Sequence, residues 1–193
     1  IQEKSLGHVA ASLFLGKKKV SKELQEFTDF VLKLLVDHGP YNSGALNTIS
    51  TARAGKDLVS ALASGILTIG PRFGGAINAA AENWLSGIEQ NITPMNFVDD
   101  FARQKKYILG IGHKKYRVDF PDPRVEKLFS FVQFFPQKRF VNFARSVEKI
   151  TTMKSGNLIL NVDGAIAAVL LDILHEKEKM DYPEISDFLS LQL

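Results

Sequence analysis

The chain contains no cysteine. A disulfide framework, a thiolate metal site and a cysteine nucleophile are excluded together. It also lacks a surplus of one charge: 24 Lys and Arg stand against 21 Asp and Glu, a formal net charge of +3. The basic residues are interspersed with acidic ones, so no nucleic-acid partner is expected. No run of eighteen apolar residues occurs, and the first residues show no leader pattern. No membrane partner is expected either, and a cytoplasmic location fits. Strand signals are missing too, since apolar and polar residues nowhere alternate over a convincing stretch. There is no internal repeat and no low-complexity tract.

What is present is helical periodicity. With 193 residues, 45% hydrophobic and 23% charged, the chain has ordinary globular composition and enough length for a full core. Apolar residues recur at helical spacing over Leu6–Leu15 and Glu23–Val36, the second with Ser21 as N-cap. Thr93-Pro94 opens a helix over Met95–Gln104. Helices are also expected over Ala76–Leu85, Val125–Phe135, Phe140–Ile150 and Ala165–His175. Phe129, Phe131, Phe134, Phe135, Phe140 and Phe143 are expected in the core. The fold class is all-α. The chain opens Ile1-Gln2-Glu3 without Met and closes inside an amphipathic run, Ile185–Leu193, so a piece of a longer protein is expected.

Between Ser43 and Ile69 small residues crowd at helical spacing, among them Gly44, Ala52, Ala61 and Gly65. Such helices pack closely, as core or as subunit interface. Three stretches carry candidate chemistry. His38 follows a helix and precedes Gly39-Pro40, where the helix dipole favours a cationic ring; it is a carboxylate ligand or only a cap. Gly70-Pro71-Arg72-Phe73-Gly74-Gly75 is a turn before a helix, weak as an anion cradle. Gly110-Ile111-Gly112-His113-Lys114-Lys115-Tyr116-Arg117, running on to Asp122-Pro123-Arg124, sets one imidazole between glycines and cations. Histidine titrates nearest neutrality, which suits proton transfer, and the cations suit an anionic ligand. A solvated basic loop with a structural histidine would read the same. Asp163, after the apolar run Leu158–Val162, is placed at a helix N-terminus, where a cap is the expected role. His175 is expected to be a dipole partner.

In order and spacing, Asp37-His38-Gly39-Pro40 with Ser43-Gly44, Gly70–Ala76, Gly110–His113, Asp122–Arg124 and Asn161-Val162-Asp163-Gly164 resemble the citrate synthase superfamily. Within it, Thr51–Val59, Arg72–Gly75 and Val147–Thr152 are most similar to the citryl-CoA lyase modules of ATP-citrate lyases. The resemblance implies a large helical domain, residues 1–78 plus 175–193, with an inserted smaller mobile domain, residues 79–174. It implies cleavage of citryl-CoA to acetyl-CoA and oxaloacetate. His113 would be the base at the tertiary hydroxyl, and Asp163 would protonate the enolate carbon. His38 and Arg124 would hold oxaloacetate carboxylates, with Arg72, Phe73 and Lys114 also at the substrate. Arg117 and Lys115 would meet coenzyme A phosphate, and no metal would be needed.

Two positions depart from the family pattern. Phe73 stands where synthases carry a histidine, which favours lyase over synthase, and Lys114 stands where arginine is common in the lyases. A homodimer or tetramer is implied, with an ATP-dependent citryl-CoA synthetase half fused or separate. The alternatives are a condensing synthase, and an oligomerisation core left inactive because two further family arginines lie beyond Leu193.

Overall fold

The computed structural model describes residues 4–36, 39–70 and 75–191. Among them ten α-helices follow in order: α1 (Leu6–Leu15), α2 (Lys22–Leu35), α3 (Ser43–Arg53), α4 (Leu58–Ile66), α5 (Ala76–Glu89), α6 (Pro94–Arg103), α7 (Pro123–Phe129), α8 (Arg139–Lys154), α9 (Val162–Glu176) and α10 (Tyr182–Ser190). Extended pairing includes two isolated antiparallel bridges, Ile111 with Leu160 and Arg117 with Phe120. The all-α expectation is met. Helix starts follow the capping chemistry legible in the chain: the Ser21 and Thr93 side chains accept from the N–H groups of Leu24 and Asn96. Asp181 and Glu184 close a reciprocal capping box at α10.

The molecule is arranged around α9. From Val162 to Leu174 every residue except Asp163 is buried. A helix apolar all round can be satisfied only by neighbours on every side. Here α2, α5, α7, α8 and α10 all pack on it. Fully burying each of Leu171, Ile173 and Leu174 contributes about 1.5–3 kcal/mol. Beside it Trp84, Phe97 and Phe143 form an aromatic cluster in which Phe97 and Phe143 meet edge to face at 5.3 Å. Gly87 of α5 leaves the space that the Phe143 ring occupies.

Three expectations need correction. The helix expected over Val125–Phe135 ends at Phe129 and tightens into a 3-10 turn over Ser130–Val132. In consequence Phe134 points outward, 89% exposed, while its neighbour Phe135 is buried. Asp163 is not the cap of α9: the helix starts at Val162, and the Asn161 side chain accepts from Gly164 N–H at 3.0 Å. His175 does more than face a helix dipole, since its Nδ1 lies 3.0 Å from the carbonyl oxygen of Met180. Close approach of α3 and α4 is as expected, with no room for a Cβ on Gly65 against Thr48. Yet the outer face of the pair is open: Leu58, Val59, Leu62, Ile66 and Leu67 are exposed.

Asp172 is the buried polar residue of α9, 1% exposed, and it serves another helix. Lys138 gives α8 no side-chain cap; the Asp172 carboxylate instead accepts from Phe140 N–H at 3.2 Å and Val141 N–H at 3.0 Å. Burial pushes its pKa up to about 7, against the lowering effect of those two donors. Because the folded value lies above the unfolded one, the stability linked to its proton is full below about pH 4. It is lost as pH rises towards 7. Replacement by Asn retains an acceptor and removes the titration. Chemical denaturation of Asp172→Asn at pH 5 and pH 8 is therefore expected to give a smaller difference in stability than in the parent. Asp172→Ala strands two buried N–H groups and is expected to cost about 1–3 kcal/mol at either pH.

Candidate active site

The site begins with two glycines. Gly110 and Gly112 have φ of +96° and +101°, a region that residues with a Cβ rarely enter. Their conformations lay the Gly110–His113 loop along residues 157–161, just ahead of α9. Gly112 N–H donates to Ile159 O at 2.7 Å, His113 N–H to Asn157 O at 3.0 Å, and Asn161 N–H to Gly110 O at 3.0 Å. Asn161 adds a second tie, donating from Nδ2 to Gly112 O at 3.1 Å while its Oδ1 caps α9. Above this junction the fully buried Trp84 donates Nε1–H to Gly164 O at 3.1 Å.

The two backbones touch. A Cβ on Gly110 would lie 2.9 Å from the Cα of Gly164 and 3.0 Å from the Ala80 Cβ. A Cβ on Gly164 would collide with the Gly110 carbonyl and approach its Cα to 2.8 Å. Thus His113 and Asp163, fifty residues apart in the chain, are carried on segments pinned to each other. Asp163 occupies the first turn of α9, where the helix dipole favours a carboxylate. It is half-buried and close enough for its charge to act on both His113 and Arg124.

The imidazole of His113 has a defined proton arrangement. Its Nδ1 accepts from the backbone N–H of Lys115 at 3.0 Å and of Tyr116 at 2.9 Å. That nitrogen therefore holds a lone pair, and the neutral ring carries its proton on Nε2. Burial holds the pKa below the usual histidine range. The Asp122 and Asp163 charges pull it up, while Arg124 and Lys115 push it down. The Tyr116 ring packs on it at 4.7 Å.

Arg124 is held by a partner that sequence reading did not single out as a site residue. Asp122, 2% exposed, caps α7 by accepting from Arg124 N–H at 3.0 Å. Its carboxylate also takes Arg124 Nε–H at 2.9 Å and Nη2–H at 2.6 Å. Burial raises the Asp122 pKa, but the hydrogen bonds and charge of Arg124 outweigh it and hold the carboxyl below its usual range. This pairing uses the Nε side of the guanidinium; Nη1 with the second proton of Nη2 is the fork through which it can meet a second carboxylate. Asp122 had a signal in the chain, as an Asp-Pro pair opening a helix. Asn161 had one too, three residues ahead of Gly164.

Lys114, Lys115 and Arg117 are exposed on the same loop. Lys115 Nζ lies 5.3 Å from the centre of the Tyr116 ring, and Arg117 sits 4.0 Å from the Asp119 carboxylate. Both pairings are loose and solvated, which leaves these cations able to meet a phosphate. His38, Arg72 and Phe73 lie outside the described residues. Among the described residues, no group of three or more His, Cys, Asp or Glu could hold a metal ion.

The helical scaffold that carries these side chains is of the citrate synthase class. Residues 1–185 match the citrate synthase, C-terminal domain family, and the chain belongs to that family. It is 42% identical over 191 residues to the probable ATP-citrate synthase subunit 1 of Neurospora crassa, covering 98% of this chain and 28% of that one. It superposes on Methanosaeta concilii ATP citrate lyase in complex with (3S)-citryl-CoA with a TM-score of 0.93 at 39% identity, covering 100% of this chain and 31% of that one. On citryl-CoA lyase from Hydrogenobacter thermophilus the TM-score is 0.77 at 26% identity, covering 97% and 71%. The chain thus spans less than a third of the length of the ATP-citrate enzymes it matches.

Because the Gly110–Gly164 contact leaves no room for a methyl group, Gly164→Ala is expected to lower stability by at least about 2 kcal/mol. Amide exchange should speed up at Gly112 and Asn161 before it does in α10. A variant that melts like the parent, with both amides still protected, would show that the junction is not as tight as described.

Proposed function

We propose that this chain carries the citryl-CoA lyase step of a cytoplasmic ATP-citrate lyase, cleaving citryl-CoA to acetyl-CoA and oxaloacetate. The observation that carries the reading is the pinning of the His113 loop to the start of α9, which brings an imidazole and a carboxylate to one place. The likeness to a lyase holding (3S)-citryl-CoA and to a dedicated citryl-CoA lyase supports it. In this reading citryl-CoA binds with its coenzyme A phosphates at Lys115 and Arg117. A carboxylate of the oxaloacetate half meets the open fork of Arg124, and His38, Arg72, Phe73 and Lys114 complete the substrate pocket.

The chemistry is a retro-aldol cleavage. The tertiary hydroxyl loses its proton, the carbon–oxygen double bond forms, and the neighbouring carbon–carbon bond breaks. The electron pair passes into the thioester enolate, which then takes a proton at carbon. A base at His113 is the role suggested by resemblance, but the neutral ring presents Nε2–H, a donor. We therefore assign His113 to hydrogen-bond the tertiary oxygen and stabilise its alkoxide. We assign the hydroxyl proton to Asp163, the first-turn carboxylate of α9 whose charge reaches His113. It returns that proton to the enolate carbon, and the proton count balances. Closure of residues 79–174 on the remainder would exclude water during this step.

The test is a cleavage assay on the full natural chain, coupled to reduction of the oxaloacetate formed. Asp163→Asn and His113→Ala are each expected to lower kcat by about a hundred- to ten-thousand-fold. His113→Gln, which keeps a donor, is expected to retain more activity than His113→Ala. If the parent binds coenzyme A esters but releases no oxaloacetate from citryl-CoA, the lyase reading is wrong.

The exposed apolar face of α4, with Leu46 and Ile49 of α3, supports a homo-oligomer in which this face is covered by a second copy. A citryl-CoA synthetase half, fused or separate, would supply the substrate. Leu62→Glu, on the open face, is expected to lower the molar mass measured by light scattering to that of a smaller species. An unchanged mass would remove the face from the interface.

A further inference from the structure

Residues 157–161 have two edges, one turned to the histidine loop and one to α8. Along this short extended segment the Asn157 and Ile159 carbonyls and the Asn161 N–H face the histidine loop. The alternate groups face the other way, as the two-residue period of extended backbone requires. They do not meet another strand. Leu160 N–H donates to Glu148 Oε1 at 2.8 Å, and the Leu158 carbonyl accepts from Thr151 Oγ1 at 2.7 Å. Glu148 and Thr151 lie three residues apart on α8, so both side chains leave the same face of that helix. Together they grip both ends of one three-residue stretch, and Thr151 is 3% exposed.

The grip extends to the helix that carries Arg124. The second oxygen of Glu148 accepts from Arg145 Nη1 at 2.9 Å, while Arg145 Nη2 pairs with Glu126 on α7. The guanidinium lies over the Phe129 ring at 4.4 Å, which limits its other orientations. One continuous set of contacts thus runs from α7, through Arg145 and Glu148, to the backbone that fixes His113 and Asp163. Neither Glu148 nor Thr151 belongs to the candidate acid–base set.

We propose that Glu148 and Thr151 are positioning residues, which hold residues 158–160 in register so that the histidine loop and the start of α9 keep their spacing. As a statement about catalysis this rests on the lyase reading; as a statement about geometry it does not. The comparison is made in the full natural chain, using Glu148→Ala, Glu148→Gln and Thr151→Val. Cleavage kinetics, thermal midpoint and site-resolved amide exchange are measured for each.

Displacement of reacting groups by as little as 1 Å can cost about a hundredfold in rate. Glu148→Ala is therefore expected to lower kcat by about ten- to a hundred-fold, with KM changed by less than about threefold. Exchange should quicken at Gly112, His113 and Leu160 while α10 stays protected. Glu148→Gln keeps the acceptor for Leu160 and is expected to recover most of kcat; Thr151→Val should lower kcat without recovery.

A kcat loss that tracks thermal destabilisation across the three variants, with exchange rising everywhere alike, would overturn the proposal in favour of a general packing role. So would unchanged kcat in Glu148→Ala. If Glu148→Ala does not fold, the nearly isosteric Thr151→Val carries the same expectation of local exchange. Should the parent chain itself cleave nothing, the lyase reading fails. The exchange pattern at Gly112 and His113 still decides the positioning.

Discussion

The backbone contact between Gly110 and Gly164 is the constraint on which the candidate site depends. At that contact there is room for hydrogen atoms and for nothing larger. It allows an irregular loop to lie directly against the first turn of a buried helix, where a side chain on either glycine would separate them. The hydrogen bonds from Gly112, His113 and Asn161 are made at the distance the contact sets. Trp84 then closes the junction from α5 through the Gly164 carbonyl. A mobile loop would give the imidazole no fixed partner. Here its position is inherited from the helix that forms the centre of the core.

The electrostatics follow from that placement. His113 is kept neutral by burial and by nearby cations, and its Nδ1 is occupied by two backbone donors. A ring in this state gives a hydrogen bond from Nε2 and carries no charge. Arg124 is half-buried, and Asp122 both neutralises and orients it. The Nε side of the guanidinium is thereby occupied, and its far fork is turned away from Asp122.

Helix α9 links the core to this chemistry. Its apolar surface is covered on all sides, so its first turn has little freedom, and Asp163 shares that rigidity. Its single buried acid, Asp172, faces the N-terminus of α8 and ties α9 to the helix that supports residues 158–160 from the other edge. Against this dense half of the molecule, α3 and α4 pack closely on each other and leave their apolar outer faces open.

Much of this was legible in the chain. Helical periodicity, caps such as Ser21 and Thr93, and the glycines flanking His113 are local signals, and they specified the all-α class and the candidate loop. The resemblance pointed to His113, Asp163 and Arg124 because each stands within one of the ordered motifs that carry it. The domain limits at 79 and 174, and the parts assigned to His38, Arg72 and Phe73, rest on resemblance alone. Other features could not be read locally. The end of α7 at Phe129, which turns Phe134 outward, is set by how the following residues pack.

Asn161 rather than Asp163 caps α9, and Asp122 is the clamp on Arg124; each depends on which oxygen reaches which N–H. The proton on Nε2 of His113 depends on a turn that brings two N–H groups to Nδ1. The role of Glu148 depends on an edge of backbone only folding exposes to it. What the sequence determined by itself was which residues form helices and which types of side chain are available, because periodicity and capping act within a few positions. Only the tertiary structure decided which of them meet and in what protonation state, because those outcomes are set by partners tens of residues away.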